Sequence, residues 1–149
     1  MNGRVIMSYL GEFDRAFMRH TLSLLDAYDG DHDATMLVNC LLGLLVVPKE
    51  TVLEAIPEAP LSELAAWGIN PASIRASGAA YRGNPHPETL RGLVIGLRHA
   101  VAHFRIRPLP DTGEVESFEY RNDRGLHAVI SLEEMRVFTR RLAGHLEDQ

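Results

Sequence analysis

The stretch from Thr89 to Pro110 constrains the fold most, because its pattern predicts one long helix with two different faces. At about 100° per residue, the large apolar side chains gather on one side, which is typical of a helix packed into a core. They are Leu90, Leu93, Val94, Leu97, Val101 and Phe104. The opposite side combines small residues with imidazoles, which indicates that another surface approaches it closely. Its members are Gly92, Ile95, Gly96, His99, Ala102, His103 and Ile106.

The same stretch is locally cationic, although the protein has a formal net charge of -5. No Asp or Glu occurs between Glu88 and Asp111, and the arginines in that interval are Arg91, Arg98, Arg105 and Arg107. The acidic total argues against a protein that coats nucleic acid by bulk electrostatics. We therefore expect a local site for an anion on this helix and take the helix as the functional centre.

Helical periodicity predicts three further helices. The first covers Tyr9 to about Tyr28, the second Ala34 to Val47, and the last opens with a capping box formed by Ser131 and Glu134. The second helix is apolar nearly all round, which predicts central burial, and its Cys40 is expected to act as a small buried hydrophobe.

The other segments are shorter and less regular. Several prolines between Lys49 and Pro87 indicate an irregular cover, with short helical pieces at Glu50–Ile56 and Leu61–Trp67. After Pro110 the runs VESFEY and LHAVI, separated by the turn RNDRG, predict a small peripheral hairpin. We predict a single domain over residues 1–149, a mainly α helical bundle with this hairpin before the last helix.

The sequence contains no apolar run of the roughly 20 residues that span a bilayer, and its N-terminus lacks the apolar stretch of a secretory signal. Its single cysteine cannot form an internal disulfide. We expect a cytoplasmic protein that makes no membrane contact.

His99 and His103 lie four residues apart, so both imidazoles project from one side of a helix, a spacing that can chelate a metal. Arg98 and Arg105 flank the pair, and the local sequence offers no carboxylate or thiolate to complete a metal site. An anion suits this environment better than a divalent cation. We therefore expect no metal and no cofactor.

The string LRHAVAHFRI resembles the R-x-x-x-x-H motif of the HEPN domain superfamily, with Arg98 and His103 as its fixed positions and His99 as the polar residue after the arginine. The second helix, TMLVNCLLGLLVVPKE, is similar to the small HEPN branch named after a plasmid-encoded p136 protein. The resemblance covers about residues 9–145. It implies a HEPN-like bundle and a metal-independent endoribonuclease that acts as a homodimer.

By this resemblance, RNA cleavage would pass through a 2′,3′-cyclic phosphate. His103 would serve as general base or acid, Arg98 would stabilise charge on the phosphate, and His99 would orient the phosphate or His103, or share the acid role. Arg98 and His103 differ by about 140° around an ideal helix, so they converge either through the long arginine side chain or across the dimer, and we expect the second. The remaining cations, Arg91, Arg105 and Arg107, are expected to bind RNA.

The small residues of the second face suggest where two copies of the helix would meet. The predicted dimer interface consists of Gly92, Ile95, Gly96, His99 and Ala102. By analogy with other HEPN proteins, the expected setting is a toxin–antitoxin pair or phage defence, with a cognate antitoxin or regulatory protein as a further partner. The alternative is a non-catalytic HEPN-like dimer that binds RNA, a nucleotide or a partner protein through the same cationic groove.

Overall fold

The computed structural model describes residues 16–46, 54–77 and 88–148. The predicted start of the first helix at Tyr9, the predicted helical start at Glu50 and the predicted loop around His86 lie outside these ranges. Within them, no helix is long and apolar enough to cross a membrane.

Four α-helices and four β-strands form the described fold. The helices are α1 over residues 16–27, α2 at Asp33–Leu41, α3 at Leu90–Ala102 and α4 at Leu132–Glu147. The strands are β1 at Ile74–Ser77, β2 at Ile106–Leu109, β3 at Ser117–Arg121 and β4 at Leu126–Ser131. A π-helical turn, Leu42–Val46, continues α2, and 3-10 helices cover Leu61–Trp67 and Pro71–Ser73.

Helix α2 and its π-helical continuation pack against α4 and α3 respectively, which places the apolar second helix in the core as predicted. Leu37, Leu41 and Leu44 are buried there, and so is Cys40. Burial also raises the pKa of the Cys40 thiol, as expected for a buried apolar environment. The predicted capping box of α4 is present, since the Ser131 hydroxyl accepts a hydrogen bond from the Glu134 amide at 3.0 Å.

The strands form one antiparallel sheet in the order β1-β4-β3-β2. The predicted hairpin is its centre, β3–β4, whereas the two flanking strands, β1 and β2, were not predicted. Buried residues Phe118 and Tyr120 of β3 pair in register with Ile130 and Ala128 of β4, so they share the face that joins the helical core. The prediction of a peripheral hairpin was therefore wrong, because this hairpin supplies part of the core.

The predicted helix from Thr89 to Pro110 is also corrected. Helix α3 begins as expected, with the Thr89 hydroxyl accepting from the Gly92 amide at 3.2 Å, but it ends at Ala102. The following segment Ile106–Leu109 is a strand that pairs with β3. An apolar residue at every second or third position fits a strand as well as a helix. Pro108 lacks an amide donor, but the sheet tolerates it because β2 is an edge strand.

The break separates the members of the predicted apolar stripe. Leu90, Leu93, Val94, Leu97 and Val101 are buried, which confirms the core face of α3. Phe104, by contrast, lies beyond the helix and its side chain is 70% exposed.

Candidate functional site

The motif residues lie at the C-terminal end of α3. Arg98 and His99 belong to the last helical turn and are half-buried, whereas His103 caps the helix and is exposed. The His103 amide donates to the His99 carbonyl at 3.1 Å, so the backbone is still close to helical at the cap. All three residues were predicted to lie within one helix, whereas in the structure His103 is the C-cap of α3.

The chain leaves the helix through a Schellman motif. The Phe104 amide donates to the Val101 carbonyl at 3.1 Å, and the Arg105 amide donates to the Ala100 carbonyl at 2.7 Å. Phe104 occupies the left-handed position of the motif with φ 53°. The motif turns the chain sharply, so Arg105 starts the path toward β2 instead of continuing the helix.

His99 contacts a residue that the sequence analysis did not select. Nη1 of Arg124 lies 3.2 Å from Nε2 of His99, although the two residues are 25 positions apart in the chain. A guanidinium can only donate, so Nε2 must accept and the ring must be neutral with its proton on Nδ1. The contact thus favours the neutral ring of His99 with its proton on Nδ1.

The electrostatic environment of His99 favours the same neutral form. Burial is the largest cause that lowers the pKa of His99 below its ordinary value of 6.5, followed by the positive charges of Arg124, His103 and Arg98. Asp123 acts in the opposite direction. Both fixed motif residues and the 123–124 turn therefore influence the pKa of a single imidazole.

The turn between β3 and β4 positions Arg124. Oδ1 of Asn122 accepts hydrogen bonds from the amides of Arg124 and Leu126, both at 2.9 Å, which is the local side-chain turn that asparagine favours. Its Nδ2 donates to the Gly96 carbonyl at 3.4 Å and so links the turn to α3. The RNDRG run therefore does more than reverse the chain, because it brings a guanidinium and a carboxylate to the motif.

Gly96 allows this close approach within one protomer. A Cβ atom at that position would lie 3.3 Å from Cδ2 of Leu126 and 3.6 Å from Nδ2 of Asn122. Gly92 and Gly96 are both buried in the single chain. At Gly96 the surface that approaches α3 closely is the chain's own β3–β4 turn. The dimer contact predicted for the two glycines stays a prediction.

The other predicted interface residues differ in exposure. Ile95 is half-buried and packs against the core, His99 is half-buried, and Ala102 is exposed beside His103. Ala102, at the end of α3, is thus the exposed member of the predicted interface.

The three arginines that were predicted to bind RNA differ in their contacts and exposure. Arg91 donates from Nε to the Ile56 carbonyl at 2.8 Å and from Nη2 to the Glu54 carbonyl at 2.9 Å, so its guanidinium ties α3 to the 54–58 segment. Arg105 is exposed directly after the motif. Arg107 is exposed on β2, where it pairs with Glu119 at 3.3 Å.

Glu119 is a carboxylate surrounded by positive groups on the outer face of the sheet. Its Oε2 lies 3.0 Å from Nε2 of His127, and Nε of Arg121 lies 3.4 Å from its Oε1, next to the Arg107 contact. The hydrogen bond with His127 is the largest cause that lowers the pKa of Glu119. The two arginines therefore outnumber the single carboxylate in this cluster.

No match was found among curated proteins or among solved structures. The family described as HEPN pEK499 p136 matches residues 7–149, which is nearly the whole chain. This match agrees with the resemblance that Arg98, His103 and the apolar second helix indicated. The chain belongs to the HEPN pEK499 p136 family.

Proposed function

We propose that this protein is a metal-independent endoribonuclease that acts as a homodimer. The observation that supports the proposal best is the cluster at the end of α3, where Arg98, His103 and Arg124 all lie close enough to lower the pKa of His99. The C-terminal end of a helix dipole repels an anion, so a phosphate there requires side-chain cations. The arginines supply them.

The reaction would be attack of a ribose 2′-oxygen on the adjacent phosphorus, with loss of the 5′-oxygen. The products would be a 2′,3′-cyclic phosphate and a 5′-hydroxyl end. One proton must leave the 2′-hydroxyl and one must reach the departing oxygen. An exposed imidazole such as His103 can transfer either proton near neutral pH.

Two guanidinium groups would stabilise the charge that develops on the phosphate. Arg98 would contribute from the last turn of α3 and Arg124 from the β3–β4 turn, each with paired N–H donors suited to phosphate oxygens. Neutral His99 would hold Arg124 in place through the 3.2 Å contact, because its Nε2 accepts from the guanidinium. His99 thus becomes a positioning residue, whereas Arg98, Arg124 and His103 touch the substrate.

A homodimer would supply the second proton-transfer group. If two copies meet at the exposed end of α3, around Ala102, two copies of His103 can share one groove, one as base and one as acid. The surrounding arginines Arg105 and Arg107 would guide the RNA strand into it.

Growth arrest or phage defence is the cellular role that we infer for such an enzyme, by analogy with other HEPN proteins.

The test is cleavage of mixed-sequence RNA in EDTA, followed by analysis of the new ends. His103→Ala is expected to lower the cleavage rate by about 100-fold or more, which is the usual contribution of general acid–base catalysis, and to keep the wild-type circular dichroism spectrum. His20→Ala is the matched control, because His20 is an exposed histidine on α1, and it should cleave at the wild-type rate.

Three results would contradict the proposal. Full activity of His103→Ala would exclude that imidazole as the acid or base, and activity that disappears in EDTA would exclude a metal-independent reaction. Stable RNA binding by the wild type without new 2′,3′-cyclic ends would instead identify the non-catalytic binding module.

A further inference from the structure

Phe104 stands in a backbone conformation that does not suit it. The left-handed position of a Schellman motif is usually glycine, sometimes asparagine, because a Cβ atom there is crowded by the backbone. Phe104, at φ 53°, therefore has a strained backbone. The two hydrogen bonds of the motif would form equally well with glycine.

Packing does not explain the residue either. The ring is 70% exposed, and in the described residues Leu24 is the other large hydrophobic side chain that is mainly exposed, at 61%. Phe118 and Phe138, by comparison, are buried in the core. A strained backbone and an exposed aromatic ring at one position indicate a role in binding.

The neighbours of the ring identify what it would bind. His103 precedes it and Arg105 follows it, both are exposed, and Arg98 lies six residues earlier, in the last turn of α3. An exposed aromatic ring with arginines near it along the chain suits a ligand that has an aromatic face and a phosphate within one repeating unit. That ligand is a nucleotide.

We propose that Phe104 is a base-stacking residue that holds one unpaired nucleotide of the RNA against the end of α3, next to the phosphate that His103 serves. The inference rests on the proposed nuclease function and adds a determinant of substrate choice to it. Stacking on an aromatic side chain contributes about 1–3 kcal/mol per base with little dependence on sequence. Bases in an RNA duplex are stacked on each other, so this residue selects single-stranded segments, loops or bulges.

Charge argues against a second copy of the chain as the occupant of the ring. In the proposed dimer, two copies that meet around Ala102 bring their copies of Arg105 toward each other. Like charges at such a contact are unfavourable, and a polyanion neutralises them. RNA, and not the partner subunit, is therefore the occupant that these cations favour at the ring.

The experiment measures binding of a mixed-sequence 2′-O-methyl RNA, which lacks the nucleophile and cannot be cleaved. Phe104→Leu keeps a branched apolar side chain but removes the aromatic face, and it should weaken binding about 5- to 150-fold, the equivalent of about 1–3 kcal/mol. Leu24→Ala is the matched control and should bind like the wild type, because Leu24 is exposed on α1. Thermal unfolding of each variant shows that the comparison is made between folded proteins.

Phe104→Trp gives a direct signal of stacking. Trp67 is the single tryptophan of the chain, so the substitution is made together with Trp67→Phe and the new indole is the only one present. We expect wild-type affinity for the single-stranded RNA and quenching of the indole fluorescence when it binds. The same sequence in a duplex should not quench it.

The outcomes separate this inference from the nuclease proposal. Wild-type affinity of Phe104→Leu and an unquenched indole would overturn the stacking role, even if His103→Ala abolishes cleavage as expected. A quenched indole in a protein that never cleaves RNA would support stacking while the nuclease proposal fails. A shift of Phe104→Leu from dimer to monomer in sedimentation, with unchanged RNA affinity per subunit, would overturn the inference in favour of a subunit contact.

Discussion

Replacement of Phe104 by glycine should make the protein more stable, which is unusual for the loss of a large side chain. At φ 53° a residue with a Cβ atom is strained by about 1–2 kcal/mol, and glycine removes that strain. Glycine is also more flexible in the unfolded chain, and this entropy lowers the stabilisation by about 0.4–1 kcal/mol. The net stabilisation expected is about 1 kcal/mol.

Loss of the aromatic ring changes the expected stabilisation little. An unfolded chain already hides part of its apolar surface, so a side chain that is 70% exposed in the native state gains little from folding. Phe104→Ala is the matched control, because it removes the ring and keeps the Cβ atom. Phe104→Gly should therefore be about 1 kcal/mol more stable than Phe104→Ala.

The assay is reversible urea unfolding followed by circular dichroism, with thermal unfolding as a second measurement. A stabilisation of about 1 kcal/mol corresponds to a rise of about 2–4 °C in Tm for a domain of this size. Both variants should lose RNA affinity to a similar degree. Phe104→Gly equal to or less stable than Phe104→Ala would refute the argument that the αL backbone at this position is strained.

Three further predictions concern Tyr120, His99 and Arg124. The Tyr120 hydroxyl is buried without a hydrogen-bond partner among the described residues, so Tyr120→Phe should raise the free energy of unfolding by about 1 kcal/mol in urea titrations, and a loss of stability would show that the hydroxyl is satisfied in solution. His99 has a pKa below its ordinary value of 6.5, so the unfolded state binds more protons and the stability should fall as the pH drops below about 6.5. His99→Gln should flatten this slope between about pH 5 and 7. In NMR titrations, Arg124→Gln should raise the pKa of His99, because it removes a neighbouring positive charge, and an unchanged value would contradict the contact between them.

The burial of Gly92 and Gly96 changes how a dimer of this protein is to be sought. Both glycines are buried in the protomer, and the chain's own β3–β4 turn lies against Gly96. The exposed end of α3, with Ala102 and His103, remains available on the protomer. Substitution of Ala102 by a charged residue is therefore a more direct probe of subunit association than substitution of either glycine.

The amino-acid sequence was sufficient for the features that depend on neighbours along the chain. Helical spacing identified the buried face of α3 from Leu90 to Val101, the all-round apolar pattern identified the central second helix, and Ser131 with Glu134 marked the start of α4. Each of these signals arises from contacts within one or two turns, so a single segment carries the information.

The spacing R-x-x-x-x-H also identified the family, and Arg98 and His103 do lie at the same end of α3. The end of that helix was predicted too late, however. The residues after Ala102 have a pattern that suits both a helix and a strand, and pairing with β3 decides between them. No local pattern reveals that partner, because the pairing joins segments about ten or more residues apart.

Only the tertiary structure assembled the site. Arg124 reaches His99 because Asn122 shapes the β3–β4 turn and Gly96 leaves room for it on α3. The sequence determined which residues are apolar, which are charged and which can begin a helix. The packing of the hairpin against α3 decided which charges surround the imidazole, covered the glycine face and left Phe104 in solvent, because these outcomes depend on distances between segments that are remote in the chain.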